Sequence, residues 1–90
     1  MQNNARLPAT GHARFMEALT SSSLDDICAE AHISVADKLK AGDLSPGVLG
    51  LIFDSGYETF KDNLSAVEGI SPIHTTALFA SLSRRSAGFD

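Results

Sequence analysis

Two segments of this chain open in the same way, "LSPGVLGLIF" at residues 44–53 and "ISPIHTTALF" at residues 70–79. A serine hydroxyl accepts a hydrogen bond from an otherwise unpaired N–H at a helix start. Proline at the first helical position lacks an N–H that would have no intrahelical partner anyway. Both segments therefore predict a helix beginning at the Ser-Pro pair. Beyond their first three residues they share only apolar periodicity, so common capping accounts for the likeness without an internal repeat.

The remaining chain also reads as helix. Phe15, Met16 and Leu19 predict a first helix over about 9–20, stopped by the hydroxyl run "TSSS". Ser23 followed by Asp26 resembles a capping box with an acid in place of the usual Glu, and Asp25 and Asp26 suit a helix N-terminus electrostatically. Ile27, Ala31, Val35 and Leu39 then form a stripe four residues apart, and Lys38 and Lys40 precede Gly42, a residue suited to the position just past a helix end. One continuous helix over 24–41 satisfies this pattern. Ser34 with Asp37 repeats the capping pattern, however, and Ile33 and Ser34 weaken a helix interior. Two short helices joined at His32-Ile33, a helix-turn-helix over 23–41, are the alternative.

A third helix over 46–62 carries Val48, Leu49, Leu51, Ile52, Phe53, Tyr57 and Phe60. Gly47, Gly50 and Gly56 each cost about 1 kcal/mol there relative to Ala, which implies close approach of a neighbour or a break at residues 54–56. Because 48–53 is almost uniformly apolar, the segment is expected to be buried by the core and by a subunit contact together. Val48, Leu49, Ile52, Phe53, Tyr57 and Phe60 are the expected contact residues. The last helix, 72–84, carries Ile73, Ala77, Leu78, Phe79 and Leu82 and ends at Arg84 and Arg85, where positive charge suits a C-terminus. The expected fold is all-α, a small bundle of about four helices. It forms a single domain over 1–90, with a flexible arm at about 1–8 and a short tail at 86–90.

Ninety residues with 43% apolar and 20% charged content describe one folded domain near the size at which a single core only just suffices, so a homo-oligomer is expected. No apolar run approaches the roughly 18–20 residues of a membrane span. The N-terminus has no secretory apolar region, and the single Cys28 has no internal disulfide partner, which together predict a reducing, cytoplasmic setting. The net charge of −4 is uneven. Between residues 23 and 69 nine acids face Lys38, Lys40 and Lys61, whereas all four arginines lie nearer the ends. If this chain meets nucleic acid, the expected contacts are Arg6, Arg14, Arg84 and Arg85, with Lys38 and Lys40 added if residues 34–41 form a reading helix.

Catalytic chemistry finds no support. The serines stand outside any nucleophile elbow, Cys28 lies on an apolar stripe, and His12, His32 and His74 lack metal-ligand spacing. No phosphate-binding glycine loop is present. The reading is a non-enzymatic protein with no cofactor, no metal and no small-molecule substrate.

The stretch "AEAHISVADKLKAGDLSPGVLGLIFDSGYETF" combines a helix of the form A-x-x-x-L-x-x-G, an acid and a Ser-started second helix. It resembles the core of the small terminase subunits of T7-like phages. Ala36, Leu39, Lys40, Gly42, Asp43 and Ser45 carry the resemblance, and Phe53, Asp62 and Asn63 more loosely. The resemblance implies an all-helical, ring-forming phage protein that binds double-stranded viral DNA and passes it to a large terminase motor. Two other classes fit the residues: a small helical DNA-binding regulator, and an acidic protein-interaction or inhibitor module.

Overall fold

A computed structural model describes residues 11–89; Arg6 and the expected arm at 1–8 lie outside the described residues. The described chain is all helix and turn, in six elements: α1 (Gly11–Thr20), α2 (Leu24–Glu30), α3 (Ala36–Ala41), α4 (Pro46–Asp54), α5 (Tyr57–Ser65) and α6 (Pro72–Ala87). Among these residues no helix is long and apolar enough to cross a membrane. The all-α bundle stands, but the expected second and third helices each divide in two.

The turns explain the divisions. At the end of α1, the hydroxyls of Thr20, Ser21 and Ser22 donate to the carbonyls of Met16, Glu17 and Ala18 at 2.8, 3.0 and 3.0 Å, satisfying groups that have no intrahelical partner. Ser23 then caps α2, its hydroxyl accepting from the Asp26 N–H at 3.1 Å. The 24–41 segment breaks after Glu30. His32 takes a left-handed φ of 60°, with its N–H donating to the Ala29 carbonyl and that of Ile33 to the Cys28 carbonyl, each at 3.0 Å.

Those bonds make a Schellman turn, and α3 ends in a second one. There Asp43 has φ 61°, and the Leu44 N–H donates to the Leu39 carbonyl at 2.9 Å. Gly42, expected just past the helix end, instead caps α3 with φ −91°, and the left-handed position falls one residue later. The expected Ser34–Asp37 cap is also displaced: Val35 precedes α3 and its side chain makes no capping bond.

The Ser-Pro starts behave as read. Ser45 accepts from the Val48 N–H at 3.3 Å and Ser71 from the His74 N–H at 3.3 Å. His74 completes a capping box, its Nδ1 accepting from the Ser71 N–H at 3.1 Å. Helix α6 runs past residue 84 to Ala87, so Ser86 and Ala87 of the expected tail are helical. The expected 46–62 helix breaks at Gly56, whose φ of 107° favours glycine, and α5 continues to Ser65.

Helix α4 packs on α1 and α5, while α6 packs on α5, α1 and α2. The core joins Phe15 and Leu19 of α1, Ile27 of α2, Leu39 of α3, Leu49 of α4, Phe60 and Leu64 of α5, and Leu78 and Leu82 of α6. All five phenylalanines and the single tyrosine belong to one ring-contact network.

The two glycines inside α4 differ. A Cβ at Gly50 would lie 2.7 Å from Met16 Cε and 3.1 Å from Leu19 Cδ2, so Gly50 marks the close approach of α1. A Cβ at Gly47 would meet nothing within 4 Å. Gly47→Ala is therefore expected to raise stability by about 0.5–1 kcal/mol through helix propensity, and Gly50→Val to lower it by about 1–3 kcal/mol through overpacking. Urea unfolding of both variants checks the pair; equal effects would contradict the assigned contact.

Candidate functional site

The cations expected at a nucleic-acid interface are dispersed. Lys38 and Lys40 are two residues apart on α3, a spacing that turns side chains to different sides of a helix. The aliphatic stem of Lys38 lies against Gly69 in the α5–α6 turn. It borders a groove of about 710 Å³ shared with Asp37, Glu68, Leu44 and Val67. Lys40 borders a separate crevice with Asp43, Ser23 and Ser45. Each lysine thus shares its crevice with at least one carboxylate. Arg14 and Arg84 are exposed.

Arg85 is committed within the fold. Its side chain is 15% exposed; one guanidinium NH₂ meets Glu30 Oε1 at 2.9 Å, and Nε donates to the same oxygen at 3.1 Å. The other NH₂ donates to Ser22 Oγ at 3.3 Å. One planar fork thereby ties the end of α6 to α2 and to the α1–α2 turn.

The expected contact residues divide between inside and outside. Leu49, Ile52 and Phe60 belong to the core, which removes them from any partner surface. Val48 and Phe53 are half-buried, and Phe53 is spent on ring contacts with Phe15, Phe60 and Phe79. Tyr57 is 39% exposed, with its ring against Phe79. Leu51 and Ile73, absent from the expected contact set, are 63% and 77% exposed. Helical phase held the signal for Leu51, which is two residues from both Leu49 and Phe53 and so lies on the far side of α4 from them.

A cavity of about 390 Å³ at the α2–α3 turn brings together Asp25, His32, Ser34 and Asp37 beside Cys28. Burial pushes the Cys28 thiol above its ordinary range and the Asp25 charge adds to this, while a hydrogen bond from the Val35 backbone pulls the other way. A thiol held protonated is a poor nucleophile and a poor metal ligand. Among the described residues no group of three or more His, Cys, Asp and Glu is placed to hold a metal ion. His12 instead lies 3.5 Å from Asp54 across the α1–α4 pair, and His74 serves as a cap, a role its sequence position did not announce.

No family model matches this chain, and no curated protein or solved structure is significantly similar to it.

Arg85→Ala is expected to cost about 1–2 kcal/mol in urea unfolding, and Arg85→Lys to recover less than half of that, because an ammonium cannot bridge Glu30 and Ser22 together. An unchanged unfolding midpoint would overturn the clamp. For Cys28, alkylation by iodoacetamide at neutral pH is expected to be slow in the folded protein and to accelerate sharply once urea exposes the thiol. Equal rates in both states would contradict its burial.

Proposed function

We propose that this chain is a non-enzymatic interaction module: an acidic helical body that binds protein surfaces through apolar side chains left outside its core. The observation that carries this reading is the disposition of the cations. Lys38 and Lys40 share their crevices with carboxylates, and Arg85 is committed to Glu30. A duplex carries closely spaced phosphates and needs several cations facing it together. Leu51, Tyr57 and Ile73 supply exposed apolar contact instead. The reducing cytoplasm expected from the lone Cys28 belongs to the same reading.

A second reading, DNA packaging as a phage small-terminase subunit, draws support from the residues that carry that resemblance. They lie on a helix-turn-helix in which α3 leads through Gly42 and Asp43 into α4, with Ser45 as the cap. In that reading the protein forms a ring, binds viral DNA through Arg6, Arg14, Lys38, Lys40, Arg84 and Arg85, and recruits a large terminase.

Titration with double-stranded DNA at about 50 and 200 mM salt separates the two. The interaction module is expected to show no association that weakens with salt, and no change on Lys38→Glu with Lys40→Glu. Steeply salt-dependent binding abolished by that charge reversal would overturn it in favour of packaging, as would a closed ring of roughly eight or more subunits by light scattering.

A further inference from the structure

We propose that the outward face of α4 is a self-association surface on which a second copy of this chain docks in antiparallel, two-fold fashion. The face is made by Gly47, Val48, Leu51 and Asp54. Leu51 is 63% exposed and lies one helical turn beyond Gly47. Over Gly47 the surface is open, since a Cβ there meets nothing within 4 Å. Neither an unusual φ nor an intramolecular contact therefore calls for glycine at that position. A bare backbone one turn from an exposed leucine makes a hole and a knob on the same face.

A two-fold contact uses one patch twice, so the patch must be complementary to itself. An axis passing through the level of Leu49 seats Leu51 over Gly47 of the partner subunit, and the symmetric pair forms with it. Each of the two residues is about 3 Å along the helix from that level.

The charges agree with this register. Asp54 is the last residue of α4 and its side chain is 54% exposed, so its carboxylate stands at the negative end of its own helix dipole. In the antiparallel pair Asp54 lies about 7.5 Å beyond the axis, level with the start of the opposing helix and its positive end. A donor awaits it there. Pro46 has no N–H, and the N–H groups of Val48 and Leu49 are taken by Ser45 Oγ and the Ser45 carbonyl. The Gly47 N–H makes no hydrogen bond among the described residues, so an approaching carboxylate meets an unsatisfied amide. A nine-residue helix offers less area than the roughly 1,200 Å² of a standard interface, so the dimer is weak and concentration-dependent.

This inference is independent of the function proposed above, because DNA binding would leave the α4 face unchanged. Sedimentation equilibrium of the full chain from micromolar to millimolar concentration tests it. The mass is expected to rise from one chain to two and stop there. Leu51→Asp should weaken association by about tenfold or more with the circular dichroism spectrum unchanged, and Asp54→Asn by a smaller factor. Gly47→Ala should raise the melting temperature of the monomer yet weaken the dimer, a split that general destabilisation cannot produce. A protein that stays monomeric at millimolar concentration, a particle that grows beyond two chains, or a dimer indifferent to Leu51→Asp would each overturn the proposal.

Discussion

The position of Phe53 governs how this chain is arranged. Its ring lies 5.6 Å from Phe15, 6.4 Å from Phe60 and 4.9 Å from Phe79, so one side chain touches α1, α5 and α6. In an unbroken helix Phe53 and Phe60, seven residues apart, would be separated by about 10.5 Å along the axis, too far for ring contact. The break at Gly56 folds α5 back and closes that gap. Aromatic pairs of this kind add about 0.5–1.5 kcal/mol each beyond the area they bury. The turn and the aromatic cluster therefore depend on each other: the positive φ at Gly56 is tolerated cheaply, and the cluster is what it makes possible.

Helices α2 and α3 contribute no ring to that cluster and are attached by other means. Leu24, Ile27 and Leu39 enter the core, while the Arg85 fork fastens α2 to the end of α6. Both helices end in Schellman turns whose left-handed residues are His32 and Asp43 in place of glycine. Histidine and aspartate tolerate that region better than most residues, yet each is strained relative to glycine. Cooperation explains their retention, because Ile33 and Leu44, directly after the turns, carry apolar contact back onto the helices they end.

Much of this was legible in the sequence, and the reasons for the remainder are local. Ser23, Ser45 and Ser71 announced three helix starts because capping is chemistry between residues three apart. The break in 24–41 was present only as an alternative, since the same stripe of Ile27, Ala31, Val35 and Leu39 suits one helix or two. The decision lay in His32 adopting a left-handed φ, which no spacing encodes. Gly42 misled by one residue because aspartate can replace glycine at the left-handed position. Arg85 read as a surface cation because its partner Glu30 is 55 residues away in sequence. His74 was silent for the opposite reason: an imidazole in place of the usual Glu or Gln of a capping box departs from the familiar pattern while doing the same work.

The expected contact set on α4 erred through hydropathy taken without phase. A run such as "VLGLIF" looks equally buried on every side, but a helix presents each residue at its own angle. Once α1 settles against Gly50 and the rings gather on Phe53, Leu49 and Ile52 are enclosed and Leu51 is turned outward. The chain as a whole exposes 5235 Å², close to the roughly 5,000 Å² typical of a 9.5 kDa monomer. The core therefore closes without borrowing surface from a second chain. Any association this protein undergoes must draw on residues the fold left outside, so it is a reversible addition to a finished monomer and not a condition of folding.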